Sequence, residues 1–388
     1  SLLSQCTSTP KLLIKYLQQF EVRFLFFLLI STSLQAQLLQ DPTAKGQITQ
    51  GLANLYQYDF KESTAIFNSL KAKYPRHPAP YLLLAMQWEQ QYFPLKDHPA
   101  HGKNYLAHLE KAFELGKEMA ERDENDLEAS FFCTASLGFL AAYEADQHNF
   151  MRVVSYAKQA YSFLKIGLKN TDKQPEFLYS TGMYNYYSVA YPELHPVLKP
   201  FMFLFQEGNK RLGLTQLEAG TRKTTFVKNE CLFYMGYVQN KYEGNPLRAL
   251  AYNQILSDNF PNNHWYLLQR AELLTLTGKF EEAEPFIEKM EALKTPYYTG
   301  AAFTLRGMRE EVERKDLNKA ESWYLKSIAF PFEERLTKDI RGLAYLGLAR
   351  IAHRERKPQL FRKYLRISED FIEYKNSLIE HKRLSHGK

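Results

Sequence analysis

The sequence predicts an all-α chain built from a repeated helix hairpin, and three observations support that fold class. Asn263–Pro296 contains two segments whose apolar residues recur at helical spacing and which meet at Gly278. Weaker forms of this hairpin recur from Ile48 to the C-terminus. Alternating apolar and polar runs joined by Asn-Gly or Asp-Gly turns, which would indicate strands, do not occur in the sequence.

The hairpin Asn263–Pro296 shows how one unit is built. Gly278 ends the first helix, because glycine adopts the left-handed backbone conformation without a Cβ clash. Phe280 begins the second helix. Ala271 and Ala283 are small, so the two helix axes should approach closely at these positions.

A small residue in the first helix, an aromatic residue at the start of the second and a proline after its end make this unit resemble a tetratricopeptide repeat. That family has a period near 34 residues. The eight small residues of the first helices are Gly51, Ala85, Gly138, Gly182, Gly236, Ala271, Gly307 and Gly347. The first two are 34 residues apart, and the fifth and sixth are 35 apart. Two longer steps, of 53 and 54 residues, indicate insertions. The resemblance implies an α-solenoid of about eight helix-turn-helix units, with a proline-broken aromatic insertion.

We expect four regions along the chain. They are an N-terminal extension with a signal peptide at 1–36, N-terminal repeats at 37–176, an aromatic and proline-rich irregular segment at 177–222, and C-terminal repeats with a capping helix at 223–388. Pro192, Pro196 and Pro200 should prevent a regular helix between Ala190 and Pro200. Three alternatives stay open for this aromatic block: it fills the groove of the solenoid, it forms part of a partner site, or it is a connector that completes the core.

The N-terminal region predicts export. Phe24–Ile30 is an unbroken apolar run preceded by Arg23 and followed by small and polar residues, which is typical of a secretory signal peptide cleaved near Ala36. The run is too short to span a bilayer, which needs about 20 residues, so we expect no transmembrane segment in the mature chain. Because no Met precedes Met86, we hypothesise that translation begins at Val22. A periplasmic or secreted protein follows from this interpretation, and a buried N-terminal helix is the alternative.

Charge and cysteine content give weaker indications. The chain carries a formal net charge of +7. Arg335–Lys388 alone contains 14 Lys and Arg against 6 Asp and Glu. This tail is either a solvated capping helix or a surface for an anionic partner. No basic motif interleaved with aromatic residues occurs, so we expect no nucleic-acid partner. Cys133 and Cys231 are expected to be free buried thiols.

The resemblance implies where a partner would bind, because the first helices of tetratricopeptide proteins line the concave surface. Projection onto these helices gives an aromatic inner face suited to a protein or peptide partner. Its residues are Phe139, Tyr143, Tyr179, Tyr186, Tyr187, Phe233, Tyr237 and Trp265. The alternatives are that these rings are core, or that they stack on sugars as in tetratricopeptide-containing surface proteins that capture oligosaccharides.

We expect neither catalysis nor a cofactor. The sequence contains no H-E-x-x-H, G-x-S-x-G, P-loop, G-x-G-x-x-G or paired C-x-x-C motif. A metal site at His98 and His101, with Asp97 and His108 nearby, is the remaining alternative, although the spacing matches no zinc signature.

Overall fold

The computed structural model describes residues 38–386, apart from the side chains of residues 197, 198, 201 and 204. In this range seventeen α-helices follow one another and no strand occurs, so the predicted all-α class is confirmed. The chain divides into two compact units after Gln47. In the first unit, the described residues form the short 3-10 turn Leu38–Gln40 and the beginning of helix α1. The predicted signal peptide at 1–36 lies outside the described residues.

The helices of the second unit follow one another as eight hairpins and a last single helix, in agreement with the predicted number of repeats. The hairpins are α1 (Pro42–Tyr56) with α2 (Phe60–Lys73), α3 (Pro78–Gln91) with α4 (Pro99–Arg122), α5 (Leu127–Asp146) with α6 (Phe150–Gly167), α7 (Phe177–Leu194) with α8 (Lys210–Lys223), α9 (Lys228–Lys241) with α10 (Pro246–Asn259), α11 (His264–Leu276) with α12 (Phe280–Ala292), α13 (Pro296–Arg309) with α14 (Leu317–Ile328), and α15 (Lys338–Arg354) with α16 (Pro358–Ser368). Helix α17 (Lys375–Ser385) follows the last hairpin.

Local sequence signals fix the ends of these helices. The Asn263 side chain accepts hydrogen bonds from the backbone N–H groups of Trp265, at 3.0 Å, and Tyr266, at 3.2 Å, so it caps α11. Gly278 has a φ of +75°, the left-handed conformation predicted for the end of this helix. Six helices have Pro in their first turn. Backbone N–H groups in the first turn donate no hydrogen bond within the helix, so the N–H that proline lacks costs nothing there.

The small residues of the first helices lie where the predicted pattern places them, one on the first helix of each of the eight hairpins. A Cβ on Gly51 would lie 2.4 Å from the ring of Phe67, and one on Gly347 would lie 2.3 Å from the ring of Tyr324. These glycines therefore allow an aromatic side chain of a neighbouring helix to reach the backbone. Gly138 differs, because a Cβ there would meet no atom within 4 Å.

The proline-rich connector departs from the sequence prediction in one respect. Helix α7 continues through Pro192 to Leu194, whereas the sequence predicts that it stops near Ala190. Pro192 lies in the last turn, where the helix continues for only two more residues, and the His195 N–H still donates to the Tyr191 carbonyl at 2.9 Å. The 3-10 segment Pro196–Leu204 then leads toward α8. The predicted division of the repeats at residues 176 and 222 stays a prediction.

Buried ion pairs join distant helices at the C-terminal end of the second unit. Lys241 on α9 contacts Asp339 on α15 at 3.1 Å, and both side chains are buried.

Cys133 and Cys231 are free and buried, as predicted. Between residues 38 and 386 no helix combines the length and the apolar character that a membrane crossing requires.

Candidate functional site

A cavity of about 400 Å³ lies in the second unit, lined mainly by first helices. Five consecutive first helices, α3, α5, α7, α9 and α11, contribute to its walls, together with side chains from α1, α6 and the connectors that precede α9 and α15. Its volume falls in the range of about 300–1,000 Å³ that is usual for ligand pockets. The cavity is therefore lined mainly by first helices, the helices to which the sequence prediction assigns a partner surface.

Four of the eight predicted aromatic residues line this cavity: Phe139, Tyr179, Phe233 and Trp265. The Phe233 and Trp265 ring centroids are 5.9 Å apart, and those of Tyr179 and Tyr234 are 5.7 Å apart. Distances of this size are favourable for aromatic pairs. The four rings are only partly buried, so they present surface to the cavity.

The other four predicted residues do not line the cavity. Tyr186 and Tyr187 pack edge-on against Tyr242, with centroid distances of 5.9 and 5.4 Å. Tyr143 lies 5.7 Å from the ring of Tyr105. Tyr237 stacks near Phe233 at 6.5 Å, and the Lys241 ammonium lies 5.3 Å from its ring centroid. A role for these residues in partner binding stays a prediction.

Several lining residues have no counterpart in the sequence prediction. Phe226 belongs to the connector between α8 and α9, and the buried Glu176 carboxylate fixes this connector. The backbone N–H groups of Thr225, Phe226 and Val227 donate to the Glu176 oxygens at 2.8, 3.1 and 3.2 Å. Because three donors converge on one carboxylate, the Phe226 ring is held in place as part of the cavity wall.

An ion-pair cluster centred on Arg335 forms one polar end of the cavity. The Arg335 guanidinium lies 2.9 Å from Glu89 and 3.4 Å from Asp146, and it also lies 4.7 Å from the Phe93 ring centroid and 5.6 Å from that of Trp265. Burial alone would lower the pKa of Arg335, but the two carboxylates outweigh burial and leave the pKa raised. The guanidinium is therefore charged at every physiological pH, and its charge is already neutralised.

Glu230, in the first turn of α9, forms a second polar group in the cavity wall. The Tyr56 hydroxyl donates a hydrogen bond to Glu230 Oε1. Glu230 Oε2 is buried and has no hydrogen-bond partner among the described residues. Burial raises the pKa of Glu230 to about 8, while a backbone hydrogen bond opposes the shift.

The described side chains of the proline-rich connector pack elsewhere than on the cavity. No described side chain between residues 192 and 206 lines the cavity, and Phe203 is exposed. The Tyr161 hydroxyl instead accepts a hydrogen bond from the Gln206 N–H at 2.9 Å, and the Phe205 ring packs at 5.2 Å from that of Tyr161. Of the three alternatives for this block, these contacts favour a connector that packs on α6.

The histidines considered as metal ligands are engaged in ring contacts. The His101 ring stacks 3.6 Å from that of Tyr92 and 5.4 Å from that of Trp88. His98 lies 6.1 Å from His101 between ring centroids. Within residues 38–386 no group of three or more His, Cys, Asp or Glu side chains is placed to hold a metal ion.

The similarities found among known proteins are to solved structures. No protein-family model matches the chain, and no curated protein does. The chain is similar to a tetratricopeptide repeat protein from Parabacteroides merdae, with 15% identity over 77% of this chain and 97% of that one, at a TM-score of 0.33. It is also similar to the apo form of the quorum sensor NprR from B. thuringiensis, with 16% identity over 85% of this chain and 98% of that one, at a TM-score of 0.38. The helix hairpins described above, rather than these distant likenesses, confirm the tetratricopeptide-like fold.

Proposed function

We propose that this protein is a non-catalytic helical-repeat scaffold that binds a segment of a protein or peptide partner in its aromatic cavity. The observation that carries the proposal is the cavity itself, which brings partly exposed aromatic rings from consecutive repeats to one place. Aromatic side chains supply large contact areas with little loss of side-chain entropy, and they dominate binding hot spots. The lack of catalytic motifs in the sequence supports the non-catalytic part of the proposal.

A peptide fits the cavity better than a glycan does. Sugar hydroxyls each need a hydrogen-bond partner when they are buried. The charged groups of the wall are concentrated at Glu230 and at the Arg335–Glu89 pair, and the rest is largely aromatic and aliphatic. Apolar side chains of a peptide would pack well against such walls. The many hydroxyls of an oligosaccharide would lose their hydrogen bonds to water and find few partners in the wall to replace them.

Gly138 offers a direct way to close the cavity. It lies on α5, it is exposed, and a side chain there would meet open space. A Gly138→Phe substitution should therefore fill part of the cavity without disturbing the packing of α5. Gly46 on α1 is the matched control, because it is also an exposed helical glycine with no atom within 4 Å of an added Cβ.

The test uses a photo-crosslinking amino acid in place of Met183, which lines the cavity. We expect irradiation in cells to give an adduct with a defined partner segment, identified by mass spectrometry. The Gly138→Phe variant should lose this adduct, and the Gly46→Phe variant should keep it. An adduct that persists in the Gly138→Phe variant would contradict binding in the cavity.

We also propose that the protein is exported, on the basis of the apolar run Phe24–Ile30 and the cleavage region near Ala36. Expression in a bacterial host, cell fractionation and N-terminal sequencing of the product test this point. A periplasmic product that starts at Gln37 is expected, and a cytoplasmic product that retains the apolar run would contradict export.

A further inference from the structure

Two glutamates line the cavity, Glu89 and Glu230, and no base among the described residues neutralises Glu230. Glu89 pairs with Arg335 at 2.9 Å, and Glu311 pairs with Arg350 at 2.7 Å. For Glu230 the Tyr56 hydroxyl is the single side-chain partner within the described residues, and no Lys, Arg or His contacts it there. A carboxylate in such a place costs free energy unless a cation or several donors approach it.

The charges around the cavity favour a cationic occupant. Glu89 and Glu230 line it with one cation, Arg335, and Asp146 also contacts that guanidinium at 3.4 Å. An anionic ligand would therefore find the guanidinium already paired and, wherever Glu230 is ionised, would be repelled by its carboxylate. A cation would find an unpaired carboxyl oxygen, together with the faces of the surrounding rings, which attract positive charge.

We propose that the cavity receives a primary ammonium group on an apolar stem, with the ammonium donating to the Glu230 carboxylate and the stem packed among Tyr179, Phe233 and Trp265. This inference rests on the proposed function and specifies the chemistry of the bound segment. The terminal torsion of a glutamate is soft, so a small rotation presents the free oxygen to the cavity while the Tyr56 hydroxyl keeps its bond. A lysine side chain and a peptide amino terminus both carry this group.

Glu272 provides a matched control for Glu230. Burial raises the pKa of Glu272 to about 8 as well, and the Tyr374 hydroxyl donates to its carboxylate. Glu272 is not among the residues that line the cavity, although it lies on α11. The two glutamates therefore share burial and a tyrosine partner but differ in access to a ligand.

The probes are three compounds with the same phenylbutyl body: 4-phenylbutylamine, 4-phenylbutan-1-ol and 5-phenylpentanoate. Binding to the full chain is measured by calorimetry at pH 8.5, where both the amine and Glu230 are mostly charged. We expect the amine to bind at least tenfold more tightly than the carboxylate. Glu230→Gln should weaken binding of the amine by about 10- to 100-fold, which is the range for loss of a charge-assisted hydrogen bond. The same variant should weaken binding of the alcohol by less than threefold. Glu272→Gln should leave all three affinities within twofold.

The affinity for the amine should also depend on pH in a way that identifies Glu230. At pH 6 the carboxyl is protonated and must lose its proton to bind the ammonium, so affinity should rise about tenfold per pH unit from 6 to 8 and then level off. Of the groups that face Glu230, Tyr234, Tyr266 and Cys231 have pKa values raised by burial and stay neutral in this window. Arg335 stays charged throughout. In the Glu230→Gln variant the affinity should be independent of pH.

Two tripeptide amides separate the two sources of the ammonium group. Phe-Phe-Ala amide offers only an amino terminus, and acetyl-Phe-Phe-Lys amide offers only a lysine side chain. The inference is supported if the affinity for either peptide is at least tenfold lower in the Glu230→Gln variant than in the unmodified protein. The inference would be overturned if the amine and the alcohol lost equal affinity in the Glu230→Gln variant, or if the carboxylate probe bound the unmodified protein most tightly. If Gly138→Phe abolishes the partner adduct while Glu230→Gln leaves amine affinity unchanged, the inference fails and the proposed function stands.

Discussion

Glu230 gives the stability of this protein an unusual dependence on pH. Burial raises its pKa from 4.5 to about 8 in the folded protein, so the folded state keeps a proton that the unfolded chain releases. Stability from this group is therefore complete below pH 4.5 and is lost as pH rises toward 8. At about 1.36 kcal/mol per unit, the full shift corresponds to a loss of about 5 kcal/mol across this window.

The Glu230→Gln variant should not show this loss, because glutamine has no proton to release. At pH 4.5 to 5 we expect its free energy of unfolding to be within about 1 kcal/mol of the unmodified protein, since the amide oxygen can still accept from Tyr56. At pH 8 to 8.5 the variant should be more stable by several kcal/mol, about 5 at most. Glu272→Gln should behave similarly, because its pKa is raised to about 8 by the same cause.

The assay is urea unfolding followed by helical circular dichroism, at half-unit intervals from pH 4.5 to 8.5. Glu288→Gln is the control, because Glu288 is exposed on α12 and its replacement should change the free energy of unfolding by less than about 0.5 kcal/mol. If the unmodified protein and the two buried variants show parallel curves, Glu230 and Glu272 are ionised without cost in the fold, and the reasoning about their burial is wrong.

Further perturbations test other parts of the structure. Arg335→Met should lower the free energy of unfolding by about 3–5 kcal/mol in a urea titration, because Glu89 would be left buried without its cation. An unchanged free energy of unfolding would mean that water replaces the cation there. Gly213→Ala should cost at least about 2 kcal/mol in the same assay, because its Cβ would lie 2.6 Å from the Tyr186 backbone nitrogen, and an unchanged midpoint would show that α7 and α8 can separate cheaply. Trp265→Ala should weaken partner capture about tenfold or more at constant helical content, and unchanged capture would place the binding surface outside the cavity. Tyr187→Ala, which removes a ring packed against Tyr242, should lower the free energy of unfolding.

The helix hairpins and their ends could be predicted from the sequence because they depend on local signals. Gly278 ends α11 in the left-handed conformation, and Phe280 begins α12, as the pattern predicts. The aromatic inner face was predictable in part, because Phe139 and Trp265 follow from their positions relative to the small residue of each first helix.

The polar groups of the cavity could not be predicted, because they depend on contacts between distant repeats. Tyr56 and Glu230 are 174 positions apart, and Glu89 and Arg335 are 246 apart. Such pairs join side chains from distant repeats, and no local pattern specifies which of them meet. Gly138 shows a second limit, because a glycine that borders open space has the same sequence spacing as one that packs against a ring.

A crystal structure of the chain crosslinked through position 183 to its partner segment tests the central claim most directly. We expect a partner side chain between Tyr179, Phe233 and Trp265, with an ammonium nitrogen within hydrogen-bond distance of the Glu230 carboxylate. A partner bound on the second helices, with these three rings still facing an empty cavity, would contradict it.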